Sequence, residues 1–71
     1  MESEAKIGKS YRVVARLDPD GVGYEIRGTL RSKRIRFKGV RHWHFEGGVW
    51  EHFVNPDFID EIEEEKRRDI F

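Results

Sequence analysis

A period-two alternation of apolar and polar residues dominates this chain from Ser10 to Val54, and it restricts the fold to a sheet. Tyr11, Val13, Ala15 and Leu17 alternate with Ser10, Arg12 and Arg16, which predicts a half-buried first strand. Asp18-Pro19-Asp20-Gly21 is the turn after it, because proline presets φ and glycine admits φ > 0. Tyr24, Ile26, Gly28 and Leu30 alternate with Glu25, Arg27 and Thr29 in a second strand. Arg31-Ser32-Lys33 reads as a short connection, after which Ile35 and Phe37 point inward from a third strand carrying Arg34, Arg36 and Lys38 outward. Gly39 is the expected site of a bulge or sheet corner. Residues 41–54 then form a hairpin about Gly47-Gly48. A two-residue turn there pairs Phe45 with Trp50, His44 with Glu51 and Trp43 with His52. Directly opposed residues share a face, so Trp43, Phe45, Trp50, His52 and Val54 form the core side.

The C-terminal segment lacks this alternation. Asn55-Pro56 has the chemistry of a helix start, with asparagine as N-cap and proline at the first helical position. Phe58, Ile59 and Ile62 make a narrow apolar stripe, and Glu63 to Arg67 and Glu64 to Arg68 are helical i,i+4 ion pairs. The reading is therefore one domain over residues 1–71, with a flexible leader at 1–8, antiparallel strands over 10–54 and a helix over 56–69. Its fold class is mainly β with one C-terminal α-helix (α+β). The expected architecture is a small bent antiparallel sheet of about five strands, an SH3-like or OB-like barrel closed by the helix.

Size limits the function. With 71 residues the chain has room for one core and no evident catalytic pocket. It has no cysteine, so neither disulfides nor thiolate chemistry are available, which suits a cytoplasmic protein. No apolar run approaches the ~18 residues of a membrane span, and the expected partners do not include a membrane. The net charge of zero conceals a segregation. Residues 26–45 hold seven bases and no acid, whereas residues 57–71 hold seven acids and three bases.

A binding module is the function that this layout suggests. Arg12, Arg16, Arg27, Arg34, Arg36, Lys38 and Arg41 are the candidate site, expected on one solvent face of the sheet. Such a face neutralises phosphates, so nucleic acid is the first expected partner, through RNA or DNA backbone. The alternative is a docking or regulatory role on an acidic protein, since the same cations complement carboxylates. His42 and His44 share a strand face with Glu51 opposite, a candidate ligand set for a divalent metal, the only cofactor the residues suggest. A minor alternative is a small ribonuclease, with His42 or His44 as acid and base and Arg36 or Arg41 on the phosphate. The acidic segment has two readings: a solvated helix face, or a surface that meets the basic face of a second copy. The chain is accordingly expected to be a monomer or a weak homo-oligomer.

Overall fold

The computed structural model describes residues 5–65 of the chain. They form a single antiparallel sheet in the order β4-β3-β2-β1-β5. The strands are β1 (Ser10–Ala15), β2 (Tyr24–Phe37), β3 (Val40–Gly47), β4 (Trp50–Val54) and β5 (Ile59–Glu64). A 3-10 turn, Pro56–Phe58, separates β4 from β5.

Alternation builds most of the core as the sequence implies, but β1 ends at Ala15 and Leu17, expected to point inward, is exposed. Val13, Ala15, Leu30, Phe45 and Val54 are at most 1% exposed, and Tyr11, Ile26 and Trp43 complete the same face. Burying each large apolar side chain of this set contributes roughly 1.5–3 kcal/mol. Ala5 joins them, and the backbone around it is tied down. Lys6 N–H donates to the Tyr11 hydroxyl, Gly8 N–H to the Leu30 carbonyl, and Leu30 N–H to the Lys9 carbonyl. Of the expected leader, residues 5–8 are thus docked on the sheet, and residues 1–4 lie outside the described residues.

The expected C-terminal helix over 56–69 is absent from the described residues, where Ile59–Glu64 is a strand. Asn55 does cap as its chemistry implies: its side-chain oxygen accepts from Asp57 N–H at 2.9 Å, with Pro56 next in the chain. The helical turn ends at once, and the chain enters β5 alongside β1. The helix-like spacing of Ile59 and Ile62 has a different origin. The β1–β5 register shifts between Val14 and Ala15, pairing Ala15 with Ile59 but Val14 with Glu61. That bulge at Asp60 lets two isoleucines three apart face the same core. The expected ion pairs to Arg67 and Arg68 lie outside the described residues.

Nor is the sheet closed into an SH3-like or OB-like barrel. β4 and β5 are the two ends of the strand order and pair with β3 and β1 respectively, not with each other. The five strands also differ from the expected set. β2 is one strand of 14 residues, with no chain reversal at Arg31–Lys33. Its first half pairs with β1, ending at Ser10–Thr29, and its second half pairs with β3. Near the crossover the backbones run very close. A Cβ on Gly28 would lie 2.8 Å from the Glu46 carbonyl oxygen, and one on Gly47 would collide with the Arg27 carbonyl oxygen. Glycine at both positions is what allows this approach.

The β3–β4 hairpin turns one residue later than expected. Gly47 pairs with Trp50, Phe45 with His52 and Trp43 with Val54. The shift leaves every side chain on its expected face, and it carries Trp50 past the core, where it is 69% exposed.

Candidate nucleic-acid interface

The seven candidate cations divide into two groups with opposite surroundings. Arg12, on the outer face of β1, is opposed by Arg27 on β2 and Glu63 on β5. Its guanidinium donates to Glu25, Glu61 and Glu63 at 3.1–3.2 Å. Those hydrogen bonds hold Arg12 well above its ordinary pKa, with Glu25 the largest contributor. Arg16 forks onto both oxygens of Asp60 at 2.9 and 3.0 Å and donates to the Pro19 carbonyl. Arg27 lies 3.3 Å from Glu65 and 3.8 Å from Glu25. Arg31 reaches Glu46 at 2.7 Å. The acids of the C-terminal segment therefore neutralise the cations of β1 and the first half of β2.

The second group occupies the far end of the β2–β3 hairpin. Arg34, Arg36, Lys38 and Arg41 form no ion pair with any described residue. Among the described residues the Arg36 guanidinium meets a backbone acceptor, the Gly39 carbonyl, at 3.3 Å. Lys33 sits beside this group with its ammonium 4.9 Å from the centre of the Trp43 ring.

The strand register shows that the seven cations do not share one face. β2 gains one extra residue between Leu30 and Ser32 and another between Ser32 and Ile35. Each bulge flips the facing of the residues beyond it, and two bulges cancel. Arg36 opposes Arg41, and Arg41 alternates in phase with Trp43 and Phe45, so these arginines extend the core face beyond the core. Arg34, two residues before Arg36 in β2, shares their side. Arg12 and Arg27 lie on the opposite, outer face. Lys38 occupies the tip, in a two-residue turn between the paired Phe37 and Val40.

The outer face of the hairpin carries Ile35 and Phe37, which the alternation assigns to the core. Ile35 opposes His42 and Phe37 opposes Val40. Phe37, 46% exposed, meets His42 and Phe53 edge to face at 5.1 and 5.2 Å, and Phe53 stacks on His44 at 4.7 Å. Sequence reasoning misses Phe37 as a surface aromatic because a reversal at Arg31–Lys33 resets the count. Counting on from Tyr24 in steps of two, with no reversal, puts Arg36 in phase with Leu30 and Phe37 on the other side.

His42 and His44 share the outer face of β3 and have separate neighbours. His44 Nε2 lies 3.2 Å from Glu51 Oε1, but at an angle outside hydrogen-bond geometry, and it is shielded from solvent. His42 Nδ1 instead meets the Val40 carbonyl at 3.0 Å. Among the described residues no group of three His, Cys, Asp or Glu is placed to hold a metal ion, and His42 does not join His44 and Glu51 in one. Arg36 and Arg41 lie on the opposite face of the sheet from His42 and His44, so the ribonuclease constellation is not assembled either.

No helix of the described residues is long and apolar enough to cross a membrane. Comparison of the chain with protein-family models, with curated proteins and with solved structures finds no match.

Proposed function

We propose that this chain is a small non-catalytic binding module whose β2–β3 arm engages nucleic acid through the phosphate backbone. One observation carries the reading. Carboxylates neutralise Arg12, Arg16, Arg27 and Arg31, while Arg34, Arg36, Lys38 and Arg41 stand together without a carboxylate partner among the described residues. A cluster of like charge raises the energy of the free protein and is relieved by a polyanion. Three of the four are arginine, whose planar fork matches phosphate oxygens. A cytoplasmic setting belongs to the same proposal and rests on a chain without cysteine.

The test is titration of labelled oligonucleotides at two salt concentrations. Four phosphate contacts predict roughly a hundredfold loss of affinity between 50 and 200 mM salt. Arg34→Glu with Arg36→Glu abolishes binding and leaves the melting temperature nearly unchanged, because both side chains lie outside the core. Absence of binding at low salt removes the reading. An acidic protein partner is the second reading, favoured by the exposed Phe37, Val40 and Phe53 on the reverse of the arm. It takes over if polyanionic oligonucleotides fail while an acidic polypeptide binds and is lost with the same double variant.

A further inference from the structure

The end of the arm is only two strands wide. Pairing of β2 with β1 stops at Thr29, and pairing of β3 with β4 stops at Trp43. Beyond those points residues 35–42 form a ribbon with no flanking strand among the described residues. We propose that this ribbon enters the major groove of B-form duplex DNA, with Arg36 and Arg41 facing the base edges. The inference rests on the nucleic-acid reading above and selects one form of the ligand.

Shape supplies the first argument. The major groove of B-form DNA is about 12 Å wide and about 8.5 Å deep and admits a two-stranded β-ribbon. The major groove of A-form RNA is deep and too narrow for side chains to read. The ribbon of residues 35–42 projects beyond both of its neighbouring strands, in a molecule whose longest dimension is 45 Å and whose other two are 25 and 23 Å.

Charge supplies the second. Arg36 and Arg41 are directly opposed across the ribbon, and like charges so placed are destabilising. Arg34 adds a third cation on that side, and Lys38 a fourth at the tip. Phosphates flank a groove on both sides, and an arginine fork pairs with guanine O6 and N7 at its floor. The arrangement that is unfavourable in the free protein is thus complementary to a groove.

The aromatic residues supply the third, by excluding the obvious competitor. A single strand is held by cations on its backbone and by open ring faces under its bases. Here Phe37 is engaged edge to face with both His42 and Phe53, and Phe53 already stacks on His44. Those rings lie on the side of the ribbon opposite Arg36 and Arg41. They do not form a platform beside its cations.

The experiment compares three labelled ligands with the full chain at one salt concentration: a duplex DNA, the same sequence as duplex RNA, and its single strand. Duplex DNA is expected to bind about tenfold tighter or more than either competitor, the discrimination available from one bidentate arginine–guanine pair. Methylation of guanine N7, which blocks the major-groove edge, is expected to weaken binding by the unaltered protein. Arg36→Gln with Arg41→Gln weakens duplex binding and leaves the melting temperature equal or higher, since an opposed like-charge pair is removed. Equal or tighter binding of the single strand or the RNA, or indifference to N7 methylation, overturns the groove assignment and leaves the nucleic-acid reading standing. Failure of all three ligands at low salt overturns both.

Discussion

Lys38 holds a backbone conformation that its side chain disfavours. Its φ is +52°, followed by +82° at Gly39, the paired positive values of a type I′ hairpin turn. A left-handed residue other than glycine costs about 1–2 kcal/mol, and asparagine tolerates the region better than lysine does. Lys38→Asn is therefore expected to stabilise the protein by about 0.5–1 kcal/mol, seen as a rise of roughly 2–8 °C in melting temperature. The same change removes one cation, so the salt slope of nucleic-acid binding is expected to fall by about one unit. Stability gained together with affinity lost identifies a position kept for binding, whereas an unchanged salt slope separates Lys38 from the interface. Tyr24 gives a second residue-scale prediction. Burial raises its phenol above the ordinary value near 10. The folded chain then holds that proton more tightly than the unfolded chain. The stability from this group is complete below about pH 10 and is lost as pH rises through the folded pKa. Denaturant midpoints measured across that range are expected to fall less in Tyr24→Phe than in the parent.

At the scale of elements, β5 shows where sequence pattern and fold part. Asn55 and Pro56 open a three-residue 3-10 turn, and Ile59 and Ile62 have helical spacing, yet the segment that follows is a strand. Two tertiary facts override the local signal. β1 leaves its edge free for pairing, and Arg12 and Arg16 on β1 attract the carboxylates of Asp60, Glu61 and Glu63. An isolated helix of this length is marginal, so a paired edge and a set of charge contacts decide the outcome. Neither was legible, because both depend on what lies beside β1. The β3–β4 hairpin was legible for the converse reason. Trp43, Phe45 and Val54 alternate on their own, and a one-residue displacement of the turn preserves their faces. The basic arm was half legible: the cations stand out in the sequence, but cancelling bulges within β2 set their facing. Arg12→Gln tests the charge contacts of β5 directly, because it leaves three carboxylates, Glu25 of β2 and Glu61 and Glu63 of β5, near one another. It is expected to lower the melting temperature at low salt, with a difference that shrinks as salt rises. A melting temperature insensitive to Arg12→Gln at every salt means that this ion cluster does not hold β5 beside β1.

For the whole molecule, internal pairing bears on how the two blocks of charge act on neighbouring copies. A chain with a basic stretch and an acidic stretch invites head-to-tail association, each acidic segment meeting the basic surface of the next copy. The fold removes much of that drive. Asp60, Glu61, Glu63, Glu64 and Glu65 all lie within 4 Å of a cation of the same chain. A second copy offers those acids nothing that Lys9, Arg12, Arg16 and Arg27 do not already supply, and exposed pairs contribute little in any case. Arg34, Arg36, Lys38 and Arg41, by contrast, have no such internal partners among the described residues. The molecule is thus neutral in sum, but its described residues present a compensated body and an uncompensated arm, the contrast on which the proposed preference for an external polyanion rests. Sedimentation velocity is expected to show a monomer at both low and high salt. Duplex DNA long enough for one arm is then expected to shift the boundary at low salt only. Salt-sensitive association of the protein alone means that the acids of β5 are available to neighbours, and the contrast between body and arm fails with it.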